Sequence, residues 1–318
     1  MYKSKEESAL SKYVINVPVA TIWTSYDSAR KLDEKATSNP TDIRSWLDSL
    51  NFETSLELCD ANLIQSQLLY GQEVLVLEEK EDYYHIIALT QGSSKDERGY
   101  PGWVPKCQIT EVTDWKLTDG CPVAVVTSNL APLFSTTGEK ELLELSFQTI
   151  LPVLERREGT VKVTLPDGTA GVLRASDSSV YDGLSAIPKG SGADIVRTGE
   201  RFLDLPYLWG GMSGYGMDCS GFSYTMCKAN GYIIPRDAHD QAKEGVEVPL
   251  DALEPGDLLF FAYEEGKGKL HHVGIYYGDG KLLHSPKTGK DIEILPMENT
   301  IYEKELCAAR RYWQKDGE

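Results

Sequence analysis

With 318 residues, the chain is long enough for two or three domains of ordinary size and for several buried cores. Lys and Arg number 32 against 49 Asp and Glu, a net charge of -17, and no basic cluster stands out that could follow a phosphate backbone; nucleic acid and anionic membrane are therefore not expected as partners. The acidic balance serves solubility and would also suit a cationic substrate such as a free amine or a diamino acid.

At the N-terminus, Met1-Tyr2-Lys3-Ser4-Lys5-Glu6-Glu7 lacks the apolar core of a signal peptide, and nowhere does a run of about 20 apolar residues supply a membrane span. No membrane insertion is expected, and the chain reads as cytoplasmic, or as secreted if a leader has been removed. Six cysteines (Cys59, Cys107, Cys121, Cys219, Cys227 and Cys307) are spread without a CxxC pair, a pattern of free thiols rather than of a disulfide framework.

Two regions of the N-terminal half share a pattern. In the first, Glu73-Val74-Leu75-Val76-Leu77 leads to Tyr83-Tyr84-His85-Ile86-Ile87-Ala88-Leu89 and is closed by Gly99-Tyr100-Pro101-Gly102-Trp103-Val104. In the second, Thr149-Ile150-Leu151-Pro152-Val153-Leu154 leads to Val161-Lys162-Val163-Thr164-Leu165 and is closed by Gly168-Thr169-Ala170-Gly171-Val172-Leu173. Short β-rich runs punctuated by glycine turns predict small all-β barrels, and the alignment of Gly99 with Gly168 and of Gly102 with Gly171 predicts a duplicated module. Both resemble the bacterial SH3-like domain, the first on Gly102-Trp103-Val104 and the second with Val172 in place of the tryptophan. Ile43, Trp46, Leu47 and Leu50, at helical spacing after Asn39-Pro40, predict a helical insertion near residues 26–56.

The turn-rich segment from Asp177-Ser178-Ser179 to Pro188-Lys189-Gly190-Ser191-Gly192 reads as a linker. Beyond it, Ile195, Val196, Gly199, Phe202 and Leu203 predict an amphipathic helix ending before Pro206. A helix from Cys219 to the stop at Asn230-Gly231 follows, then antiparallel strands at 257–262, 271–277, 281–285 and 305–312. The expected organisation is an SH3-like domain at 8–116, a second at 117–176, a linker at 177–192 and an α+β domain at 193–318.

Asp218-Cys219-Ser220-Gly221 stands at the start of the second of these helices. A thiol attacks as its thiolate, which unsatisfied N–H groups and the helix dipole favour at such a position. His272 is the expected general base, a residue that must come within about 3 Å of the sulfur. Its neighbour His271 should point to the opposite face of the strand. His284 follows the turn Gly278-Asp279-Gly280, so a hairpin would set it beside His272 as the group that fixes the tautomer of the base. Cys227, eight residues along the same helix, reads as a buried spacer. Cys219, His272 and His284 could in principle ligate zinc, but they form no compact metal-ligand spacing; no metal and no cofactor are expected.

From Pro206 onward the sequence resembles the NlpC/P60 family of papain-like cysteine peptidases. The resemblance rests on Pro206-Tyr207-Leu208-Trp209-Gly210-Gly211, Asp218-Cys219-Ser220-Gly221-Phe222, Pro235-Arg236, Pro255-Gly256-Asp257-Leu258-Leu259-Phe260-Phe261, His272-Val273-Gly274-Ile275-Tyr276 and His284-Ser285, and covers roughly residues 190–314. It implies that Tyr207 donates a hydrogen bond to the developing oxyanion and that Asp218 and Ser220 contact the peptide around the scissile bond, although Asp218 equally suits a helix cap. Asp237, where Ser or Thr is frequent, resembles the branch that reads a free N-terminal L-alanine amine, with Tyr100 closing the same pocket from the first SH3-like module.

The activity this implies is cleavage of the γ-D-glutamyl–L-diamino acid bond of murein tripeptides or tetrapeptides, with release of L-Ala-γ-D-Glu. These motifs choose neither between lysine and diaminopimelate nor an oligomeric state. A secreted hydrolase acting on intact wall and an inert murein-binding protein are the alternatives.

Overall fold

The computed structural model describes residues 12–313, except 114 and 116. The expected boundaries at residues 8, 116 and 318 lie outside the described residues.

The first barrel contains β1 (Lys12–Ile15), β2 (Val19–Trp23), β3 (Ile64–Leu69), β4 (Glu73–Lys80), β5 (Tyr83–Ala88), β6 (Tyr100–Pro105) and β7 (Ile109–Val112), in the order β3-β2-β6-β5-β4-β1-β7. The second contains β8 (Val123–Val126), β9 (Leu130–Ser135), β10 (Glu141–Ser146), β11 (Ile150–Arg157), β12 (Thr160–Thr164), β13 (Ala170–Arg174) and β14 (Ser178–Tyr181), in the order β10-β9-β13-β12-β11-β8-β14. Strand for strand the two orders are identical. The aligned glycines show why: a Cβ on Gly102 would lie 2.3 Å from Ile22 of β2, and one on Gly171 would lie 2.8 Å from Leu133 of β9, the equivalent strand. Both copies need a bare backbone where the closing strand crosses the core.

The strand β14 falls inside the stretch expected to be linker and pairs with β8, Ser179 opposite Val125 and Val180 opposite Ala124. Asp177-Ser178-Ser179 has turn composition, but pairing along a barrel edge overrides it.

Between β2 and β3 lie α1 (Glu34–Thr37), α2 (Ile43–Ser49) and α3 (Phe52–Asp60), so the insertion extends to Asp60. Asp42 caps α2 through the Ser45 N–H and Asn51 caps α3 through that of Thr54. Trp46, Ile43 and Leu58 pack with Trp23 and Ile64 of the barrel and with Leu208 from the C-terminal region.

The C-terminal domain begins with α4 (Gly192–Glu200), which stops short of Phe202, although that side chain stays in the core. After the short pair β15 (Met212–Ser213) and β16 (Gly216–Met217) come α5 (Cys219–Ala229), α6 (Ala238–Gln241), β17 (Val246–Glu247), β18 (Leu258–Ala262), the single turn α7 (Tyr263–Gly266), β19 (Leu270–Gly278), β20 (Lys281–His284), β21 (Glu293–Pro296), α8 (Ile301–Glu305) and β22 (Leu306–Arg311). Its six-stranded antiparallel sheet runs β17-β22-β18-β19-β20-β21, and Phe222 and Met226 of α5 pack on Val273 and Ile275 of β19. That packing sets the first turn of α5 against the strand that carries His272.

Candidate active site

The helix α5 starts at Cys219 because Asp218 caps it: Oδ1 accepts the Gly221 N–H at 2.6 Å. The Cys219 N–H, in the first turn, has no intrahelical acceptor and is free to serve as a donor. Asp218 Oδ2 accepts the Gly210 N–H at 2.9 Å, and the carboxylate pairs with Arg236 through Nη2 at 2.7 Å and Nη1 at 3.2 Å. The guanidinium, 1% exposed, also donates to Ser220 Oγ at 2.8 Å and to Ser66 Oγ of the first barrel at 2.9 Å. Asp218 and Ser220 are thus both engaged by protein groups, and through Arg236 the turn that carries Cys219 is tied to Ser66 of the first barrel.

On β19, His272 is buried and its Nε2 lies 2.7 Å from Nδ1 of His284 on β20, the hairpin pairing that the turn at Gly278-Asp279-Gly280 implied. Nδ1 of His272 is left for the thiol. The Tyr302 ring lies 5.6 Å from that of His272 and 4.8 Å from that of His284, and Phe261 stands 5.7 Å from His272, so the imidazoles sit in an aromatic, water-poor enclosure. His271 is turned away, with Nε2 2.9 Å from Glu305 and its ring stacked on Tyr263 at 4.0 Å. Cys227 is packed in the core behind the site.

Burial and the Asp218 carboxylate push the Cys219 thiol up to about 12, against the pull of the Val273 and Ser220 N–H groups and the Arg236 charge. Burial, then the His284 and His271 rings, holds His272 well below the usual imidazole value, and burial lowers His284 to about 3. The resting pair is therefore a neutral thiol and a neutral imidazole. The helix terminus does not by itself create a thiolate here, because burial and, after it, the capping carboxylate outweigh the dipole. Tyr207 is half-buried, and burial, then the neighbouring Cys219 and Asp218, hold its hydroxyl well above its ordinary value, keeping it a proton donor beside Cys219.

A second cluster straddles the domain boundary. Tyr100 Oη donates to Asp237 at 3.0 Å to Oδ2 and 3.1 Å to Oδ1. Burial, and next the Asp237 charge, raise the Tyr100 hydroxyl far above its ordinary value, so it remains a donor. Lys95, in the loop between β5 and β6, brings Nζ to 2.6 Å from Gln65 Oε1, 2.5 Å from Tyr100 Oη and 3.5 Å from Asp237 Oδ2. Gln65, Lys95 and the anchoring role of Arg236 were not anticipated from sequence. Arg236 stood beside Pro235 in a recognised motif, whereas nothing local marks Gln65 or Lys95.

A helix-borne thiol set against a strand-borne imidazole that is backed by a second ring defines a papain-like cysteine peptidase. The NlpC/P60 family model matches residues 204–311, and a model described as the YKFC SH3b2 domain matches residues 126–181, which include β14. The chain is 50% identical over 297 residues to the gamma-D-glutamyl-L-lysine dipeptidyl-peptidase of Bacillus subtilis (strain 168), covering 92% of this chain and 96% of that protein. It is 40% identical over 308 residues to the protein of the same name from Bacillus cereus (strain ATCC 10987), covering 96% of this chain and 92% of the relative. The crystal structure of an NlpC/P60 family protein from Bacillus cereus ATCC 10987 superposes with a TM-score of 0.92 at 40% identity, over 96% of this chain and all of that one. The chain belongs to the NlpC/P60 family of cysteine peptidases.

Proposed function

We propose that this peptidase hydrolyses the γ-D-glutamyl–L-diamino acid bond of murein peptides that carry a free N-terminal L-alanine, releasing L-Ala-γ-D-Glu, and that it serves cytoplasmic peptide recycling rather than wall remodelling. Two relatives covering nearly the whole chain bear the matching name. The observation that carries the reading is the Tyr100–Asp237 pair across the domain boundary, which already holds one ammonium, that of Lys95. A substrate amine would take that place, matched by the Asp237 carboxylate as Lys95 now is.

In the reaction, Cys219 Sγ attacks the γ-glutamyl carbonyl carbon as its proton passes to His272 Nδ1. Tyr207 Oη and the Cys219 N–H receive the negative oxygen of the tetrahedral intermediate. His272 then gives its proton to the leaving amine as the C–N bond breaks, leaving a thioester. Water, deprotonated by the same imidazole, attacks the thioester, the C–S bond breaks and the thiol regains a proton.

The test is turnover of L-Ala-γ-D-Glu-L-Lys and of its N-acetyl form, followed by mass spectrometry. Cys219→Ala should abolish dipeptide release, and undiminished turnover would end the cysteine-peptidase mechanism. Acetylation should lower kcat/KM by about a hundredfold or more, the scale on which sites built around a buried polar partner reject analogues lacking it. Equal cleavage of both substrates would remove the amine pocket from the reading.

A further inference from the structure

His284 is fully buried and uses only one of its nitrogens. Nδ1 lies 2.7 Å from His272 Nε2, while Nε2 is buried with no hydrogen-bond partner. The proton count on this pair is fixed by the chemistry of the base. If His272 is to take the Cys219 proton at Nδ1, its neutral ring must carry hydrogen on Nε2 and donate it to His284 Nδ1. His284 must then carry its own hydrogen on Nε2, the atom left without an acceptor. A buried N–H without a partner weakens the tautomer the reaction needs.

One carboxylate stands opposite that atom. Glu293 on β21 is the direct cross-strand partner of His284, and its Oε1 lies 3.7 Å from His284 Nε2. The carboxylate is 49% exposed at its side chain, so it can close the remaining distance by a side-chain rotation with the strand pairing unchanged. The other titratable groups around the two rings are already placed: Cys219 from α5 as nucleophile, His271 from β19 paired with Glu305 at 2.9 Å, and Tyr302 from α8 with its ring against both imidazoles.

We propose that Glu293 is a fourth member of the relay, a positioning residue that accepts the His284 Nε2 hydrogen, thereby locks the tautomer of both histidines and steadies the imidazolium formed on His272. The proposal rests on the nucleophile and base roles given to Cys219 and His272. No proton leaves the relay: Cys219 loses one to His272 Nδ1, and the two hydrogens between His272, His284 and Glu293 stay where they began.

The test has a spectroscopic and a kinetic part, both on the full chain. In 15N-labelled protein carrying Cys219→Ala, His284 should show a protonated Nε2 and an unprotonated Nδ1; the opposite tautomer would overturn the proposal without reference to turnover. In the active enzyme, Glu293→Ala should lower kcat about tenfold, leave KM within about twofold and move the acid limb of the kcat/KM profile to lower pH, because the imidazolium loses its remote counter-charge. Glu293→Gln, which still offers a carbonyl oxygen, should restore the tautomer and most of kcat while keeping the shifted limb. A Glu293→Ala enzyme with the wild-type pH limb and tautomer sinks the idea, whatever its kcat. Residual turnover by Cys219→Ala would instead mark failure of the underlying mechanism.

Discussion

Lys95 and the two site histidines are the residues whose surroundings bear most directly on activity and stability. The Lys95 ammonium is held by a neutral phenol, an amide oxygen and a carboxylate, yet its side chain is 37% exposed and has a route into water. Two ammonium groups cannot share Asp237 without repulsion. Lys95→Met, which keeps the stem and removes the charge, is expected to lower KM for the free-amine tripeptide about three- to tenfold with little change in kcat, as removal of a tethered competitor does. An unchanged KM would show that substrate and lysine do not meet.

Both histidines are held neutral, His284 near 3 and His272 well below its usual value, by burial first in each case. Histidines of the unfolded chain titrate near 6.5. As the pH falls from about 6.5 toward 3, the unfolded chain takes up protons that the fold refuses, so stability is lost over that window and is independent of these groups above it. Thermal melts at pH 7.5 and 4.5 should show a smaller acid loss of Tm for His284→Asn than for wild type. An equal loss in both would assign the acid sensitivity to other groups.

At the scale of elements, the start of α5 is the structural hinge of the site. The cap and the proposed nucleophile and oxyanion donor occupy two consecutive residues, Asp218 and Cys219, and the cap is tied by Arg236 to Ser220 and to Ser66 of another domain. Asp218→Asn would keep a capping oxygen but leave the buried guanidinium without its hydrogen-bonded carboxylate, with Asp237 as its remaining counter-charge. A loss of about 3–5 kcal/mol in urea denaturation is expected, the range for breaking one side of a buried pair. A loss under about 1 kcal/mol would mean that Arg236 finds water or another partner. The strand β14 shows the reverse relation between sequence and element: its serines read as a turn, and only the edge of β8 makes them a strand.

Across the whole molecule, the first barrel is a structural wall of the peptidase. Gln67 of β3 accepts from the Met212 N–H and Ser213 Oγ, both at 3.0 Å, Trp209 Nε1 donates to the Ile64 carbonyl at 3.1 Å, and Tyr224 Oη donates to that of Thr90 at 2.6 Å. Gly210, at φ +72°, sits where a Cβ would meet Ile64 at 2.5 Å. Trp115 joins the barrels in turn, donating to the Gly71 carbonyl at 3.0 Å and packing in the second barrel's core. With so many buried polar groups satisfied across the boundaries, the domains should unfold together. Gln67→Leu, which strands the Met212 N–H and the Ser213 hydroxyl, should lower the single calorimetric transition by the equivalent of about 1–3 kcal/mol. Two separated transitions in the wild type would contradict this coupling.

The peptidase chemistry is legible in the sequence because its parts are local. A capping aspartate before Cys219, a hairpin turn between His272 and His284, and tyrosine two residues into the Pro206 stretch each occupy a position fixed by a few neighbouring residues. The duplicated barrels were legible for the same reason, through glycines that spare the core a side chain. What only the tertiary structure decided is whatever lies across a boundary or against a field. Tyr100 and Asp237 stand 137 residues apart; only the family resemblance brought them to one pocket, their contact distance came from the fold, and nothing in the sequence draws Lys95 between them. The protonation of Cys219 was likewise beyond the sequence, since the helix dipole favours the thiolate while burial and the capping carboxylate favour the thiol, and their balance depends on how closely α5 is packed on β19.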